Sequence, residues 1–265
     1  MSKKIRPIIL AGGVGKRLWP LSTKYNPKQF IPIFQDLSLF DLTLQRANNS
    51  LFKKPIVVTS KKYLKQVSKA FERTGLKPSL IVLEPESKNT YSAITLAALL
   101  SNEELGKDKL IIMPSDHYIS NNMNFYQACK KALKEDKESL YLLGIKPEYA
   151  SSEYGYIRLI EGSSKKIEFI EKPTAKKVKD LLASNNVYWN SGIFIFGKSW
   201  FINKSRQSDP SLFKKIDSSV RKGTQEGNLF YPENISFASI KPISFDHGFV
   251  EKCKDISMIK LDAGW

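Results

Sequence analysis

The residues best suited to chemistry lie near the amino terminus, where a short apolar run leads directly into a glycine-rich loop. Residues 7–10 read Pro-Ile-Ile-Leu and predict a buried strand, and three glycines follow by position 15. Glycine admits positive φ and leaves no side chain between backbone and ligand, and successive exposed N–H groups form an anion-binding concavity. Cationic side chains stand close by. The loop therefore predicts a cradle for a polyphosphate, formed by Gly12, Gly13, Gly15, Lys16, Arg17 and Lys28.

Two familiar phosphate-binding loops do not fit this segment. The P-loop requires a glycine where Leu10 stands and a hydroxyl side chain where Arg17 stands. The dinucleotide fingerprint requires a third glycine at the position of Leu18. A glycine-rich surface turn beside solvated cations is the alternative interpretation.

Asp116 follows an apolar stretch, residues 109–113, that predicts another buried strand. Because ligands of open α/β sheets lie at the carboxyl ends of the strands, we expect Asp116 beside the glycine loop. Mg²⁺ prefers carboxylate and phosphate oxygens, so Asp116 is a candidate metal ligand. The alternative is that Asp116 caps the next helix. We expect a structural role for His117, because phosphoryl transfer needs little proton chemistry when the nucleophile is already ionised.

Residues 84–90, Glu-Pro-Glu-Ser-Lys-Asn-Thr, stand at the end of another predicted strand and open a helix. Short polar side chains and free N–H groups at such a place are suited to reading the edge of a base. Simple N-capping by Asn89 or Thr90 is the alternative.

Further candidates flank a predicted hairpin in the second half of the chain. Glu171 and Lys172 stand at a strand end, where the alternative to a ligand site is a surface ion pair worth under about 1 kcal/mol. A carbohydrate site needs amide and carboxylate groups with close backbone approach, and Asn190, Gly155 and Gly192 meet that need. A role as a helix and packing element explains residues 244–252 at least as well as a ligand-binding role does.

Taken in the order in which they occur along the chain, these segments resemble the motifs of the sugar-1-phosphate nucleotidylyltransferases. Residues 17–22 and 27–30 are similar specifically to the bacterial mannose-1-phosphate guanylyltransferases, and the resemblance extends over nearly the whole chain. Some positions depart from the family pattern. Val14, Lys16 and Thr23 stand where Ser, Thr and Arg are usual, and Lys88 replaces an arginine. Lysine lacks the planar bidentate contact of arginine, so this departure bears on the base preference and not on the reaction.

The resemblance implies transfer of a guanylyl group from GTP to mannose 1-phosphate, giving GDP-mannose and diphosphate, with Mg²⁺ as cofactor. It implies catalytic roles for Arg17, Lys28, Asp116 and Lys172, with Asp116 as one metal carboxylate. The implied nucleotide-binding residues are Leu10, Ala11, Gly12, Gly13, Gly15, Lys16, Lys88, Asn89, Thr90 and Pro114. The implied sugar-phosphate-binding residues are Gly155, Glu171, Lys172 and Asn190.

The resemblance also predicts a second metal carboxylate two residues beyond Trp265. We therefore expect residues 1–265 to form one nucleotidyltransferase domain that is incomplete at its carboxyl terminus. Two alternatives remain open. One is a related enzyme that uses another nucleotide or another hexose 1-phosphate, and the other is an inactive fragment that only binds nucleotide.

The elements that must position these residues alternate between strand and helix through the first half, which predicts βαβ units. We expect a three-layer α/β/α sandwich with a mixed, mostly parallel, Rossmann-like sheet. After the hairpin, Thr174 should cap a helix. We expect Asp209-Pro210, Gly223 and Gly227 to break up a polar, irregular insertion near the substrate side.

Composition limits the partners. The net charge of +16 comes from scattered lysines without interleaved aromatic residues, so we expect no nucleic-acid partner. No apolar run approaches the ~20 residues needed to span a bilayer, so we expect no membrane partner. Cys129 and Cys253 are expected to be free buried thiols of a cytoplasmic protein. A homodimer is our expectation for the assembly.

Overall fold

Strands and helices alternate through the first half of the chain, as the sequence predicts. The computed structural model describes residues 3–13, 22–23, 25–34, 36–102, 109–135, 138–160 and 163–265. The strands are β1 (Ile5–Ala11), β2 (Pro32–Phe34), β3 (Leu37–Ser38), β4 (Ile56–Ser60), β5 (Leu80–Glu84), β6 (Lys109–Pro114), β7 (Leu140–Ile145), β8 (Tyr156–Ile160), β9 (Ser163–Ile170), β10 (Val187–Gly197), β11 (Thr224–Glu226), β12 (Leu229–Tyr231) and β13 (Ile256–Lys260). The α-helices are α1 (Leu39–Ala47), α2 (Leu64–Thr74), α3 (Asn89–Leu100), α4 (Asn122–Lys134), α5 (Ala175–Leu182), α6 (Lys198–Ser208), α7 (Pro210–Arg221), α8 (Asn234–Ala238) and α9 (Phe245–Gly248).

One mixed sheet contains eleven of the strands in the described part of the chain. Its order is β11-β12-β5-β4-β1-β6-β10-β7-β13, and the hairpin of β8 and β9 joins it through β10. β1 lies parallel to β4 and β6, and β4 lies parallel to β5. β10 runs antiparallel between β6 and β7. The carboxyl ends of four parallel strands therefore meet at one edge, and the first half of β10 reaches the same edge.

Helices cover both faces of this sheet, which confirms the predicted three-layer α/β/α sandwich. Neighbouring side chains of a strand point to opposite faces. Ile8 of β1 accordingly packs into one hydrophobic core with α3, α6, α7 and α9. Ile9 packs into the other core with α1, α2 and α4. A smaller cluster beneath α5 contains Tyr156, Val187 and Trp189.

Local sequence signals explain where several helices begin and end. Ser38 and Asp41 form a capping box at α1, and Thr174 caps α5 as predicted. α2 ends at Gly75, whose φ of +66° is the left-handed conformation that favours glycine. Ser60 is the last residue of β4, and a short 3₁₀ turn at Lys61–Tyr63 leads into α2.

The region that was expected to be an irregular insertion is largely helical, so that prediction was wrong. Asp209 accepts a hydrogen bond from the Leu212 N–H at 2.9 Å and caps α7, with Pro210 in its first turn. Proline suits the first turn because the N–H that it lacks has no partner inside the helix there. The Asp-Pro pair therefore starts a helix, and Leu212 and Ile216 pack it onto the core.

Among the described residues, no helix combines the length and apolar character needed to cross a bilayer. Neither cysteine forms a disulfide bond. Cys129 is buried in α4, and Cys253 is only partly buried. Burial raises the pKa of both thiols.

Candidate functional site

A cavity of about 340 Å³ opens at the edge of the sheet where β1, β5 and β6 end. The sequence predicted this position from the rule that ligands bind at the carboxyl ends of parallel strands. Many of the predicted nucleotide-binding residues line the cavity, namely Leu10, Gly12, Gly13, Asn89, Thr90 and Pro114. Asp116 lines it as well, together with residues that the sequence did not single out as ligands: Gln29, Glu84 and Asp246.

Gln29 connects the 3₁₀ turn at Lys28–Phe30 to the glycine loop. Its Nε2 atom donates a hydrogen bond to the Gly13 carbonyl at 2.9 Å and lies 3.4 Å from the Ala11 carbonyl. Thr59 donates a second hydrogen bond to the Ala11 carbonyl, at 2.9 Å. Ala11 is fully buried, so its contribution is to fix the end of β1. The start of the loop is held in place without any ligand.

Glu84, the last residue of β5, presents a buried carboxyl group to this cavity. Only 6% of the residue is exposed, and a Cβ at Gly12 would lie 3.7 Å from its Oε2 atom. Its Oε1 atom has no hydrogen-bond partner among the residues that the structure describes. Burial raises the pKa of Glu84 to about 8. The sequence signal, an acidic residue ending an otherwise apolar strand, was visible but had not been assigned to a ligand.

In the segment after β5, some polar residues line the cavity and others bond to the rest of the protein. Asn89 has a φ of +68°, a conformation that asparagine tolerates better than most residues, and its Oδ1 atom accepts a hydrogen bond from the Thr90 N–H at 2.8 Å. The Thr90 hydroxyl accepts a hydrogen bond from the Phe245 N–H at 2.8 Å. The Lys88 ammonium instead donates to the Ala238 carbonyl at 2.8 Å and pairs with Glu86 at 3.0 Å. Lys88 is not among the residues that line the cavity.

Asp116 stands just beyond the end of β6, at the boundary between this smaller cavity and a second cavity of about 840 Å³. Its Oδ2 atom lies 3.7 Å from the Lys28 ammonium. The side chain of Asp116 is about half exposed, so its carboxylate is accessible to a ligand. No group of three or more potential metal-ligating side chains occurs within the described residues. The exposed carboxylate of Asp116 is a suitable ligand for Mg²⁺, which takes phosphate oxygens and water as further ligands.

Glu171 and Lys172 form an ion pair at the end of β9. The Glu171 carboxylate is nearly buried, whereas more than half of the Lys172 side chain is exposed. A Cβ at Gly155 would lie 2.6 Å from the Glu171 Oε2 atom, so only glycine leaves room for that carboxylate. Gly155 also accepts a hydrogen bond from the Asn190 N–H at 2.7 Å. Three of the predicted sugar-phosphate residues are thus in direct contact, and the fourth, Lys172, is paired with one of them.

Asp246 connects this group to the smaller cavity. The Asn190 amide donates a hydrogen bond to its Oδ1 atom at 2.9 Å. Burial and the negative charge of Glu171 raise the pKa of Asp246 to about 6, while the Lys172 charge opposes that shift. A series of contacts from Lys172 through Glu171, Gly155 and Asn190 ends at Asp246, in the wall of the cavity that also contains Gly13 and Asp116. Sequence reasoning missed Asp246 because its short helix α9 has the pattern of a packing element.

The second cavity is lined largely by aromatic side chains and by the carboxyl-terminal residues. Trp265 donates a hydrogen bond from its indole nitrogen to His117 Nδ1 at 3.1 Å. Burial lowers the pKa of His117 to about 4, so its imidazole is neutral at pH 7. The predicted structural role of His117 has a concrete contact here. The predicted ligands Gly15, Lys16 and Arg17 lie outside the described residues.

Comparison with known proteins adds independent support for the family. Residues 6–236 match the family described as nucleotidyl transferase. The chain is 34% identical over 264 residues to the xanthan biosynthesis protein XanB of Xanthomonas campestris pv. campestris, covering 98% of this chain and 56% of that protein. It is 32% identical over 272 residues to a mannose-1-phosphate guanylyltransferase of Sinorhizobium fredii, covering 100% of this chain and 53% of that protein. The chain thus spans about half the length of the curated relatives that it matches.

A solved structure matches along its whole length. The crystal structure of a Helicobacter pylori protein described as mannose-6-phosphate isomerase superposes with a TM-score of 0.86 at 29% identity, covering 99% of both chains. The family match, the sheet topology and the cavity at the strand ends agree with one another. The chain belongs to the nucleotidyl transferase family.

Proposed function

We propose that this chain catalyses the reaction of GTP with mannose 1-phosphate to give GDP-mannose and diphosphate. The observation that carries the proposal is the position of Asp246. It lines the same cavity as Gly13 and Asp116, and it contacts the predicted sugar-binding residue Asn190. A nucleotide and a sugar phosphate bound to these two groups of residues would meet at one place. The mannose-1-phosphate guanylyltransferase of Sinorhizobium fredii supports the choice of substrates.

The buried carboxyl group of Glu84 favours guanine over the other bases. Guanine presents two adjacent donors, N1–H and the N2 amino group, on its Watson–Crick edge. A carboxylate has two acceptor oxygens, so the two groups are complementary. Oε1 of Glu84 has no partner among the described residues, and an unsatisfied buried oxygen gains a full hydrogen bond when such a donor arrives. Adenine and cytosine present an acceptor at the ring position where guanine presents N1–H. Uracil and thymine present a ring N–H there, but it is flanked by carbonyl oxygens, so among these bases guanine alone offers two adjacent donors.

The proposed catalytic residues act together in one substitution at phosphorus. A phosphate oxygen of mannose 1-phosphate attacks the α-phosphorus of GTP, and the bond to the bridging oxygen of diphosphate breaks in line. Lys172 would hold the attacking phosphate against the like charge of the triphosphate. Lys28 would neutralise the α-phosphate region, and Arg17 with the loop N–H groups would stabilise the departing diphosphate. Such catalysis consists of positioning and charge stabilisation.

Asp116 is the residue that would hold Mg²⁺, together with phosphate oxygens. When bound, the ion neutralises negative charge on the phosphate oxygens. The Lys28 ammonium, 3.7 Å from the Asp116 Oδ2 atom, would pair with the same carboxylate in the absence of the ion. We further propose that residues 1–265 act as one nucleotidyltransferase domain of a cytoplasmic protein. The predicted second metal carboxylate beyond Trp265 and the predicted homodimer stay predictions.

A diphosphate-release assay with mannose 1-phosphate and Mg²⁺ tests the proposal, with GTP compared against UTP, dTTP and ATP. We expect release with GTP and its loss in Lys172→Met. The matched control is Lys177→Met, which removes another exposed charge, on α5, and should leave the rate unchanged. Faster release with another nucleotide would replace GTP, and GTP binding by calorimetry without release would favour a binding fragment.

Mannose 6-phosphate belongs in the same experiment, because the similar Helicobacter pylori protein is described as an isomerase of that sugar phosphate. We expect no conversion of mannose 6-phosphate into fructose 6-phosphate in the absence of nucleotide. Such a conversion, without diphosphate release from GTP, would overturn the proposed reaction.

A further inference from the structure

His117 lies in the wall between the two cavities. It lines the larger one, and its Cε1 atom is 3.9 Å from the place that a Cβ would take on Gly192, which lines the smaller one. The neighbouring Asp116 lines both. The imidazole therefore stands where a ligand on the nucleotide side would approach the predicted metal ligand.

The contact with Trp265 determines which ring nitrogen of His117 carries the proton. An indole nitrogen can only donate a hydrogen bond. It lies 3.1 Å from Nδ1, and the two rings meet edge to face with their planes at 86°. Nδ1 must therefore accept, and the single proton of the neutral ring is on Nε2.

The chain around Trp265 is itself fixed against the loop that follows Asp116. The Ser120 N–H donates to the Gly264 carbonyl at 3.0 Å, and the Asn121 N–H donates to the Ala263 carbonyl at 3.0 Å. These backbone bonds hold residues 262–265 beside the loop. The indole is thereby kept at the imidazole.

The Nε2–H group has no acceptor among the residues that the structure describes. A donor in a partly buried site gains free energy when a ligand supplies the missing acceptor. A cation at this position would pair with Asp116, as Lys28 does at 3.7 Å, and would compete with a metal ion. A neutral donor can bind an anionic oxygen there without occupying the carboxylate.

We propose that Trp265 is a positioning residue that holds His117 in the Nε2–H tautomer, so that a phosphate oxygen of a bound substrate accepts a hydrogen bond from Nε2 beside Asp116. The choice of a phosphate ester as the ligand rests on the proposed function. The tautomer and its dependence on Trp265 do not, and they can be measured without turnover.

Nitrogen-15 NMR of the chain labelled at histidine tests the tautomer directly, because the sequence contains only two histidines. His247, an exposed residue that contacts Glu251, is assigned by its loss in His247→Gln. At pH 7.5 we expect His117 to show a protonated Nε2 and an unprotonated Nδ1. In Trp265→Phe the Nδ1 signal should move and the Nδ1–H tautomer should appear. A proton on Nδ1 in the original chain, or an unchanged Nδ1 signal in Trp265→Phe, would overturn the proposal.

Two titrations of the labelled chain identify the phosphate. Mannose 1-phosphate and GTP are added separately, and the one that shifts the Nε2–H signal contains the accepting oxygen. If both bind by calorimetry and neither shifts that signal, the donor role is wrong. If neither binds, the proposed function fails as well, whereas the tautomer result stands by itself.

Kinetics of full turnover supply the second readout. Glutamine places an amide N–H near the Nε2 position, whereas asparagine reaches only as far as Nδ1. We expect His117→Gln to keep kcat within about fivefold and His117→Asn to lower it by roughly tenfold or more, the loss of one hydrogen bond to a charged group. Trp265→Phe should lower kcat by roughly tenfold alone but under about twofold in the His117→Gln background. Equal effects of Trp265→Phe in both backgrounds would show that the indole acts only through packing.

Discussion

Replacing Glu84 by glutamine should stabilise the protein, and increasingly so as the pH rises. The folded-state pKa of about 8 lies above the ordinary value of 4.5 because burial disfavours the charged form. A raised carboxyl pKa means that stability is lost as the pH rises from the unfolded value through the folded one. By linkage, the raised pKa of Glu84 lowers the free energy of unfolding by about 1 kcal/mol at pH 5, about 3 kcal/mol at pH 7 and more than about 4 kcal/mol above pH 8. Glutamine does not titrate and avoids this penalty.

Thermal denaturation of Glu84→Gln at pH 5, 6, 7 and 8 measures the effect. A chain of this size gains roughly 2–4 °C per kcal/mol, so the advantage of the variant should grow by roughly 5 °C between pH 5 and pH 7. Glu86→Gln is the matched control, since Glu86 lies two residues away with its side chain largely exposed. An advantage that is constant with pH, or that shrinks as the pH rises, would refute the reasoning.

The same carboxyl group links nucleotide binding to a proton. With a pKa of about 8 it is mostly protonated at pH 7, and two guanine donors would bind it as the carboxylate. GTP binding at pH 7 should therefore release close to one proton, measured by calorimetry in two buffers of different ionisation enthalpy. The release should disappear in Glu84→Gln, together with part of the preference for GTP over UTP. GTP binding with equal proton release in both proteins would contradict this role of Glu84.

Three other predictions concern the sugar side and the loop. Asp246→Asn should raise Tm above pH 6 and change it little below pH 4. The pKa of Asp246 is raised to about 6, so the loss of stability caused by ionising this carboxyl group develops between these pH values. A Tm difference that falls as the pH rises would contradict this prediction. Gly155→Ala should raise KM for mannose 1-phosphate by roughly tenfold, since its Cβ would displace Glu171, with KM for GTP as the internal control. Arg17→Ala should lower kcat by a factor of about 100 and raise KM for the sugar phosphate far less. An unchanged kcat would exclude a role of Arg17 at the leaving group.

Much of the fold was readable from the sequence because local pattern and tertiary structure agree in the first half. Apolar runs such as residues 109–113 became β6 almost unchanged, and the glycine loop lies at the predicted end of β1. The same alternation predicted which edge of the sheet forms the site, since parallel strands bring all their carboxyl ends together. The relative position of Gly13, Asp116 and Asn89 followed from that one rule.

The second half was harder to predict because its placements depend on long-range pairing. Nothing near Asp246 indicates that α9 turns one carboxylate toward Asn190, a contact across 56 residues. Lys88 illustrates a different problem, because residue type alone does not show that the Ala238 carbonyl, 150 residues away, takes its ammonium. Glu84 had a recognisable signal in its strand, but the lack of a partner for its Oε1 atom among the described residues depends on how distant segments, Gly12 among them, pack around it.

The antiparallel strand β10 has a consequence for how this protein is made. It is inserted between β6 and β7, so the middle of the sheet stays open until residues 187–197 have been synthesised and have paired on both sides. Pairings between segments so distant in sequence are slow to form, and they leave strand edges exposed meanwhile. Nascent chains that end before this strand should therefore aggregate readily. The step that closes the sheet also brings Asn190 to the side of the sheet where β6 ends.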